Sequence, residues 1–319
     1  MAVAIAASLS ACEKADRPTL AQPSVASATI GGVGELTPGS GLPGPDLPGG
    51  LWSDEALDAI DTEATLADDP NYKHHGWFVV ECVYSHTAPD DPIVHYGKPG
   101  LSHSHDFFGN ESTDAFSTED TLLDATTTCR KHQDLASYWA PSLFVDGERV
   151  EPKSSDAYYR ASPNIAPDAV APFPDGLKIV AGSAHATEPQ SLEVVGWACG
   201  RNPHRSIEPP SCAESTELTL RVSFPDCWNG NDLDSDDHAS HMAYSTIAGC
   251  PAEHPVPVPQ LEFVVQYPVW GPQSDIELAP GGVLTGHADF FNAWVPGSLQ
   301  REVLGCIHRD VVCGVPAIF

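Results

Sequence analysis

The chain carries 30 prolines and 26 glycines in 319 residues, and that load more than any other feature limits what it can become. Proline removes a backbone donor and clashes with the preceding helical turn, and glycine adds chain entropy that an element must overcome, so long helices are nearly excluded. The apolar patterning that survives between the breaks is short and strand-like: Trp77 to Val83, Leu143 to Val145, Leu177 to Ala181, Leu218 to Phe224 and Leu261 to Tyr267. The last two alternate apolar with polar or small residues, as half-buried antiparallel strands do. Short strands joined by long loops predict a mainly β fold, an antiparallel β-sandwich or jelly-roll-like single domain with long disulfide-braced loops.

Among the 9 cysteines, Cys12 stands apart. It closes the small, apolar run Met1 to Ala11 in the order Leu9-Ser10-Ala11-Cys12, a spacing like that of a bacterial lipobox, where the Cys is lipidated. Residues 1–12 are thus expected to be a lipoprotein-type signal segment with Cys12 as the lipidation site. Residues 13–71 read as a flexible Pro/Gly-rich tether, with a short helix expected behind Ser53 from the spacing of Ala56, Leu57, Ile60 and Ala64. The β domain is expected over residues 72–319. Cys82, Cys129, Cys199, Cys212, Cys227, Cys250, Cys306 and Cys313 form an even set without a CxxC pair, as disulfides of an exported protein would. Proximity favours joining Cys82 to Cys129, Cys199 to Cys212, Cys227 to Cys250 and Cys306 to Cys313. The expected location is the outer surface or the periplasm, as a lipoprotein.

With 44 acidic against 15 basic residues the formal charge is −29. Long-range repulsion excludes nucleic acid and anionic membrane surfaces as partners, which leaves an N-terminal lipid anchor as the one expected membrane contact. Neutral sugars, cationic polymers and metal ions all suit such a surface, and solubility alone explains it equally well.

Three stretches combine imidazoles and carboxylates with adjacent aromatics: Ser102 to Asn110, Phe224 to Tyr244, and Gly286 to Trp294. Polar, titratable groups beside Phe-Phe sit at the edge of an apolar core, which is unfavourable unless they are hydrogen-bonded or ligated. His103 and His105, two apart, share a face if extended, and His238 and His241, three apart, are neighbours on a helical turn. Asp106 is a candidate ligand, a carboxylate that orients an imidazole, or an acid/base group. His287 and Asp289 repeat the spacing, followed by Asn292 and Trp294. Asp232, Asp234 and Asp236 alternate like calcium ligands, but Asp237 and Ala243 stand where an EF-hand needs Gly and Glu, leaving a bespoke calcium loop or a solvated acidic turn. There is no Gly-x-Ser-x-Gly elbow and no P-loop or Rossmann glycine pattern.

Taken together, His105-Asp106-Phe107-Phe108-Gly109-Asn110, Phe224-Pro225-Asp226-Cys227-Trp228-Asn229-Gly230, Asp237-His238-Ala239-Ser240-His241-Met242-Ala243-Tyr244 and Gly286-His287-Ala288-Asp289-Phe290-Phe291-Asn292 resemble the DUF1996 family. Cys129-Arg130, Tyr138-Trp139, Pro172-Phe173-Pro174 and Cys250 to Pro257 agree, so that the resemblance runs over roughly residues 72 to 313. It implies a secreted protein in a carbohydrate-associated setting, in company with modules such as WSC, and carries no reaction with it.

The leading expectation is an extracytoplasmic polysaccharide-active enzyme, hydrolase or lyase, with extracellular polysaccharide as its partner. His105, Asp106, His241, His287 and Asp289 are its candidate catalytic residues, supplying a metal site or an acid/base pair. Trp228, Asn110, Asn292 and Trp294 are candidate substrate contacts. One divalent metal ion is the candidate cofactor, with His103, His105, His238, His241 and His287 as candidate ligands. The rivals are a non-catalytic cell-surface protein binding glycan or metal, and His/Asp clusters that merely tie loops together. Because isolated buried charge is unfavourable, the clusters are expected to converge, bringing His105, His241 and His287 together, bridged by Asp106 or Asp289, with His103 and His238 further out.

Overall fold

The computed structural model describes residues 76–273 and 275–314, so the signal segment with Cys12, the tether and the helix expected behind Ser53 lie outside the described residues. Strand β1 (Trp77–Ala88) decides the architecture, because its register shifts between Tyr84 and His86. Such an irregularity re-aims a strand. Up to Val83, β1 pairs with β6 (Ser154–Arg160); from Tyr84, on both sides of the irregularity, it pairs with β2 (His105–Gly109). The two halves of β1 therefore serve two sheets. One continues from β6 through β13 (Gln260–Tyr267) and β9 (Leu218–Ser223) to β8 (Val195–Cys199). The other continues from β2 through β3 (Ser137–Pro141) and β15 (His287–Phe291) to β7 (Lys178–Gly182). All these pairs are antiparallel, and β16 (Val312–Cys313) joins β1 in parallel. Two smaller sheets flank them, β4 (Leu143–Val145) between β5 (Glu148–Val150) and β14 (Ile276–Leu278), and β10 (Cys227–Trp228) between β11 (Met242–Ala243) and β12 (Val256–Pro257).

The sheets pack face to face as a mainly β, antiparallel sandwich. Phe263 of one meets Tyr138 and Phe108 of the other, each at a ring separation of 5.5 Å. All three are fully buried, and each contributes about 1.5–3 kcal/mol by leaving water. The β2–β3–β15 face turned away from this core is covered too. A second apolar cluster, Ile93, Phe107, Leu122, Trp139, Phe291 and Ala293, lies there, with Leu122 supplied by helix α1 (Glu119–Leu123). Buried on both faces, β2, β3 and β15 carry no solvent-facing residues. A second short helix, α2 (Ser298–Glu302), precedes β16.

The alternation in β9 and β13 predicts one solvated face, and here the structure differs: Arg221 and Glu262 project from the polar side yet are buried. They escape water by pairing. Glu262 takes Arg205 and Arg221 at 2.8 Å on one oxygen and Arg160 at 3.1 Å on the other. Burial alone would raise its pKa, but the Arg160, Arg221 and Arg205 charges hold it well below the usual carboxylate range. The four sequentially paired disulfides are all present, Cys82–Cys129, Cys199–Cys212, Cys227–Cys250 and Cys306–Cys313. Such bridges form and persist in oxidising compartments outside the cytoplasm. No helix among the described residues is long and apolar enough to cross a membrane.

Candidate metal centre

Side chains two apart on a strand share a face. His105 and Phe107 of β2, and His287, Asp289 and Phe291 of β15, therefore lie on the covered outer face, while Phe108 and Phe290 point into the sandwich core. Only β3 separates the two strands, with Pro141 opposite His105 and Trp139 opposite both Phe107 and Asp289. On the far side of β15, Gly182 faces His287, and a Cβ at 182 would come within 2.9 Å of the His287 Cα and 2.6 Å of the Gly286 carbonyl. His103 reaches the same place from the loop before β2.

The imidazoles meet edge to edge through one kind of nitrogen. His287 Nε2 lies 3.1 Å from His103 Nε2 and 3.4 Å from His105 Nε2. The opposite nitrogens are already committed: His105 Nδ1 donates to the Asp90 carbonyl at 2.9 Å, and His287 Nδ1 donates to the Thr285 carbonyl at 2.8 Å. A carbonyl only accepts, so in both neutral rings the proton is on Nδ1 and the lone pair is on Nε2. Burial, and after it the charge of neighbouring imidazoles, pushes His105 and His287 down to about 3 and His103 to about 4. At neutral pH the cluster is thus uncharged: the Nε2 lone pairs of His105 and His287 face one another at 3.4 Å, and His103, whose Nδ1 is not held by a carbonyl, can donate its Nε2–H to His287.

Two carboxyls adjoin it. Asp91, His105 and Asp289 bring ligand-type atoms within 4.8 Å of one another, as do His103, His105 and His287, so His105 belongs to both groups. Asp91 Oδ1 accepts from the Ile93 and Val94 amides at 2.9 Å each, which fixes its direction. Asp289 Oδ2 has no hydrogen-bond partner, and neither does Trp139 Nε1 on the strand beside it. Burial, and then the charge of Asp91, raises the Asp289 carboxyl well above its ordinary range; burial also raises Asp91, against the pull of His95 and His238.

The remaining sequence candidates lie elsewhere. Asp106 is adjacent to His105 and therefore points to the opposite face, where it accepts from Thr87 at 2.5 Å and pairs with Arg149 at 2.9 Å. It neither bridges nor orients the imidazoles. His241 does not join them: its Nε2 donates to the Lys178 carbonyl at 2.7 Å, and its Nδ1 meets the Ser235 hydroxyl at 2.9 Å, tying the central loop to β7. His238 bonds Asp234 at 2.9 Å and senses Asp91 only through space. The order expected among the histidines is thus corrected, with His103 inside and His241 outside. Asn110 is buried and holds the Leu122 and Leu135 carbonyls; Trp294 is 2% exposed, beside Tyr159. Neither presents a surface to a ligand. Asn292 is likewise buried, on the Pro174 carbonyl, and the Trp228 indole donates to the Asp232 carbonyl at 2.6 Å. Among the described residues Asp232, Asp234 and Asp236 form no group of converging ligands.

Asp91 and Trp139 escape a reading based on His-Asp clusters. Asp91 has a signal, a carboxylate followed by Pro92 in an acidic turn, where a side chain caps the amides that follow. Trp139 has none beyond its aromatic pair with Tyr138. At the rim, His95 and His185 lie close enough for their charges to bear on His103.

No curated protein and no solved structure matches the chain. The family model described as a domain of unknown function, DUF1996, matches residues 91–294, a span that contains Asp91, His103, His105, His287 and Asp289, and the chain belongs to that family.

Proposed function

We propose that the domain holds one divalent transition-metal ion on His103, His105 and His287, and that it uses the ion as an extracytoplasmic hydrolase or lyase acting on polysaccharide. One observation carries this reading: Nε2 atoms stand 3.1 Å and 3.4 Å apart while the Nδ1 atoms of both fully engaged rings are held by carbonyls. The His105 and His287 lone pairs repel unless a donor or a cation sits between them, a cation displaces no proton from either ring, and a carbonyl-bound Nδ1–H is the usual way a ligating imidazole is oriented. Three nitrogen donors suit zinc and its neighbours and leave coordination positions for water or substrate. The ion would supply Lewis acidity to a substrate oxygen or a bound water. In this reading Asp289, kept protonated by burial, is the proton donor, and Asp91, fixed by two amides, is its partner carboxylate. Tyr96, 53% exposed with Lys178 5.9 Å from its ring, supports a sugar substrate, because pyranose faces stack on exposed aromatics.

The depth of the site favours one other reading. With His105 and His287 only 0% and 4% exposed, an ion there would equally pin the loop to the sheet in a non-catalytic protein that binds glycan or metal. Metal content of purified protein after zinc loading, combined with product analysis on a polysaccharide panel with and without chelator, separates the two. One ion per chain with chelator-sensitive cleavage is expected. Absence of stoichiometric metal overturns the site, and bound metal without cleavage of any polysaccharide replaces enzyme by binder.

A further inference from the structure

The outer face of the β6–β13–β9–β8 sheet bears a concavity that shares no residue with the imidazole cluster. It holds about 470 Å³ and is lined in part by Lys153, Asp156, Tyr158, Arg201, Glu217 and Gln266. Most polar groups there are satisfied within the fold. Lys153 Nζ pairs with Glu217 at 3.0 Å, and Arg221 beneath is spent on Glu262 and on the Asn202 carbonyl, at 2.8 Å each. Two groups differ. Asp156, 2% exposed, uses only Oδ2, which accepts from Gln266 Nε2 at 2.9 Å and from the Tyr158 hydroxyl at 3.3 Å. Its Oδ1 is buried with no hydrogen-bond partner. Arg201 is exposed and lines the same space, and its guanidinium makes no hydrogen bond or ion pair among the described residues.

We infer that this concavity binds one acidic sugar residue, a hexuronate, with its carboxylate on Arg201 and one of its hydroxyls donating to Asp156 Oδ1. The volume falls within the range of small-ligand pockets, roughly 300–1,000 Å³. A guanidinium fork matches a carboxylate, and Arg201 acts on Asp156 only through space, which leaves its donors for a ligand. A buried acceptor left without a donor is unfavourable by about 1–3 kcal/mol, which a ligand hydroxyl would relieve. The groups on the other oxygen of that carboxylate, Gln266 and Tyr158, are neutral hydrogen-bonding side chains, suited to hydroxyls rather than to an ammonium. Burial, with Glu81 adding to it and the Arg201 charge opposing it, pushes the Asp156 carboxyl up to about 6. The site is independent of the imidazole cluster and stands whether or not that cluster holds a metal.

Calorimetric titration of the full chain, dialysed against chelator so that no bound metal takes the carboxylate, tests it with D-glucuronate, D-galacturonate, D-glucose and L-alanine. At least one uronate is expected to bind saturably, about tenfold more tightly than D-glucose, as the loss of a charge-assisted hydrogen bond implies, with no binding of L-alanine. Arg201→Gln, at an exposed position, should erase that preference and leave D-glucose binding as it was. Asp156→Asn should weaken both sugars, with its thermal midpoint reporting that it folds, and His287→Ala should change neither. The inference is overturned if neither uronate saturates, if D-glucose or L-alanine binds as well as the uronates, if Arg201→Gln keeps the preference, or if His287→Ala abolishes binding.

Discussion

Two buried polar clusters, one on the outer face of each sheet, solve the same problem in opposite ways. Around Glu262, buried charge is closed upon itself, matched by Arg160, Arg205 and Arg221 within 3.1 Å. Around His287, closure is incomplete: the His105 and His287 lone pairs face one another, and Asp289 Oδ2 and Trp139 Nε1 lack partners. A self-satisfied network holds a fold together, whereas converging acceptors without donors wait for something external. That contrast, more than the presence of histidine, separates a structural cluster from a candidate site.

The sharpest way to break the comparison is Glu262→Gln. Three guanidiniums would lose their shared anion, and a stability loss of about 3–5 kcal/mol is expected in denaturant unfolding. A loss below 1 kcal/mol would mean that water reaches the network and that its closure is only apparent. Next comes His287→Ala, which should lower zinc affinity about 100-fold or more, since even residues behind a ligand are worth 10- to 100-fold. His241→Ala is the matched control. It should leave zinc affinity unchanged while removing the bonds to Lys178 and Ser235, for a stability loss of about 1–2 kcal/mol.

Single groups on the two faces also predict opposite responses to pH. Imidazoles titrate ordinarily near 6.5 and carboxyls near 3.8. In the metal-free domain His103 is depressed to about 4, and His105 and His287 to about 3. As pH falls below about 6.5, the unfolded chain binds protons that these folded imidazoles refuse, so their contribution to stability falls toward pH 4. Asp156 is raised to about 6, so its contribution is lost in the other direction, as pH rises from about 4 to 6 and the unfolded carboxyl ionises first. Thermal midpoints from pH 4 to 7.5 in chelator should therefore show a shallower acid-side fall for His287→Gln and a gain above pH 6 for Asp156→Asn, each about 1 kcal/mol or more in size. Equal slopes in the variants and the parent would contradict the assigned protonation. The smallest effect belongs to Glu217→Gln. Its pair with Lys153 is largely exposed, and a change under about 1 kcal/mol is expected in the same unfolding assay.

From the sequence alone, the class of fold was legible because it follows from local rules. Proline and glycine forbid long helices, short apolar runs mark β1, β4, β7, β9 and β13, and nearness along the chain was enough to pair all the disulfides. His105, His287 and Asp289 were also within reach, because a titratable group beside Phe-Phe sits where burial has consequences. What local rules misassign is side and partner. Asp106 is one residue from His105, and strand pleating alone puts it on the other face, against Thr87 and Arg149. His103 enters and His241 leaves because a loop conformation and the register of β15 against β3 and β7 decide which rings meet. Asp91 joins from a covering loop that no periodicity links to β15, and the polar face of β13 is buried because Arg160, Arg205 and Arg221 arrive from other segments. Only the tertiary structure decides such matters, since contact between residues far apart in sequence depends on how the strands pair, and a one-residue slip of β2 or β15 would send His105, or His287 and Asp289, to the opposite face.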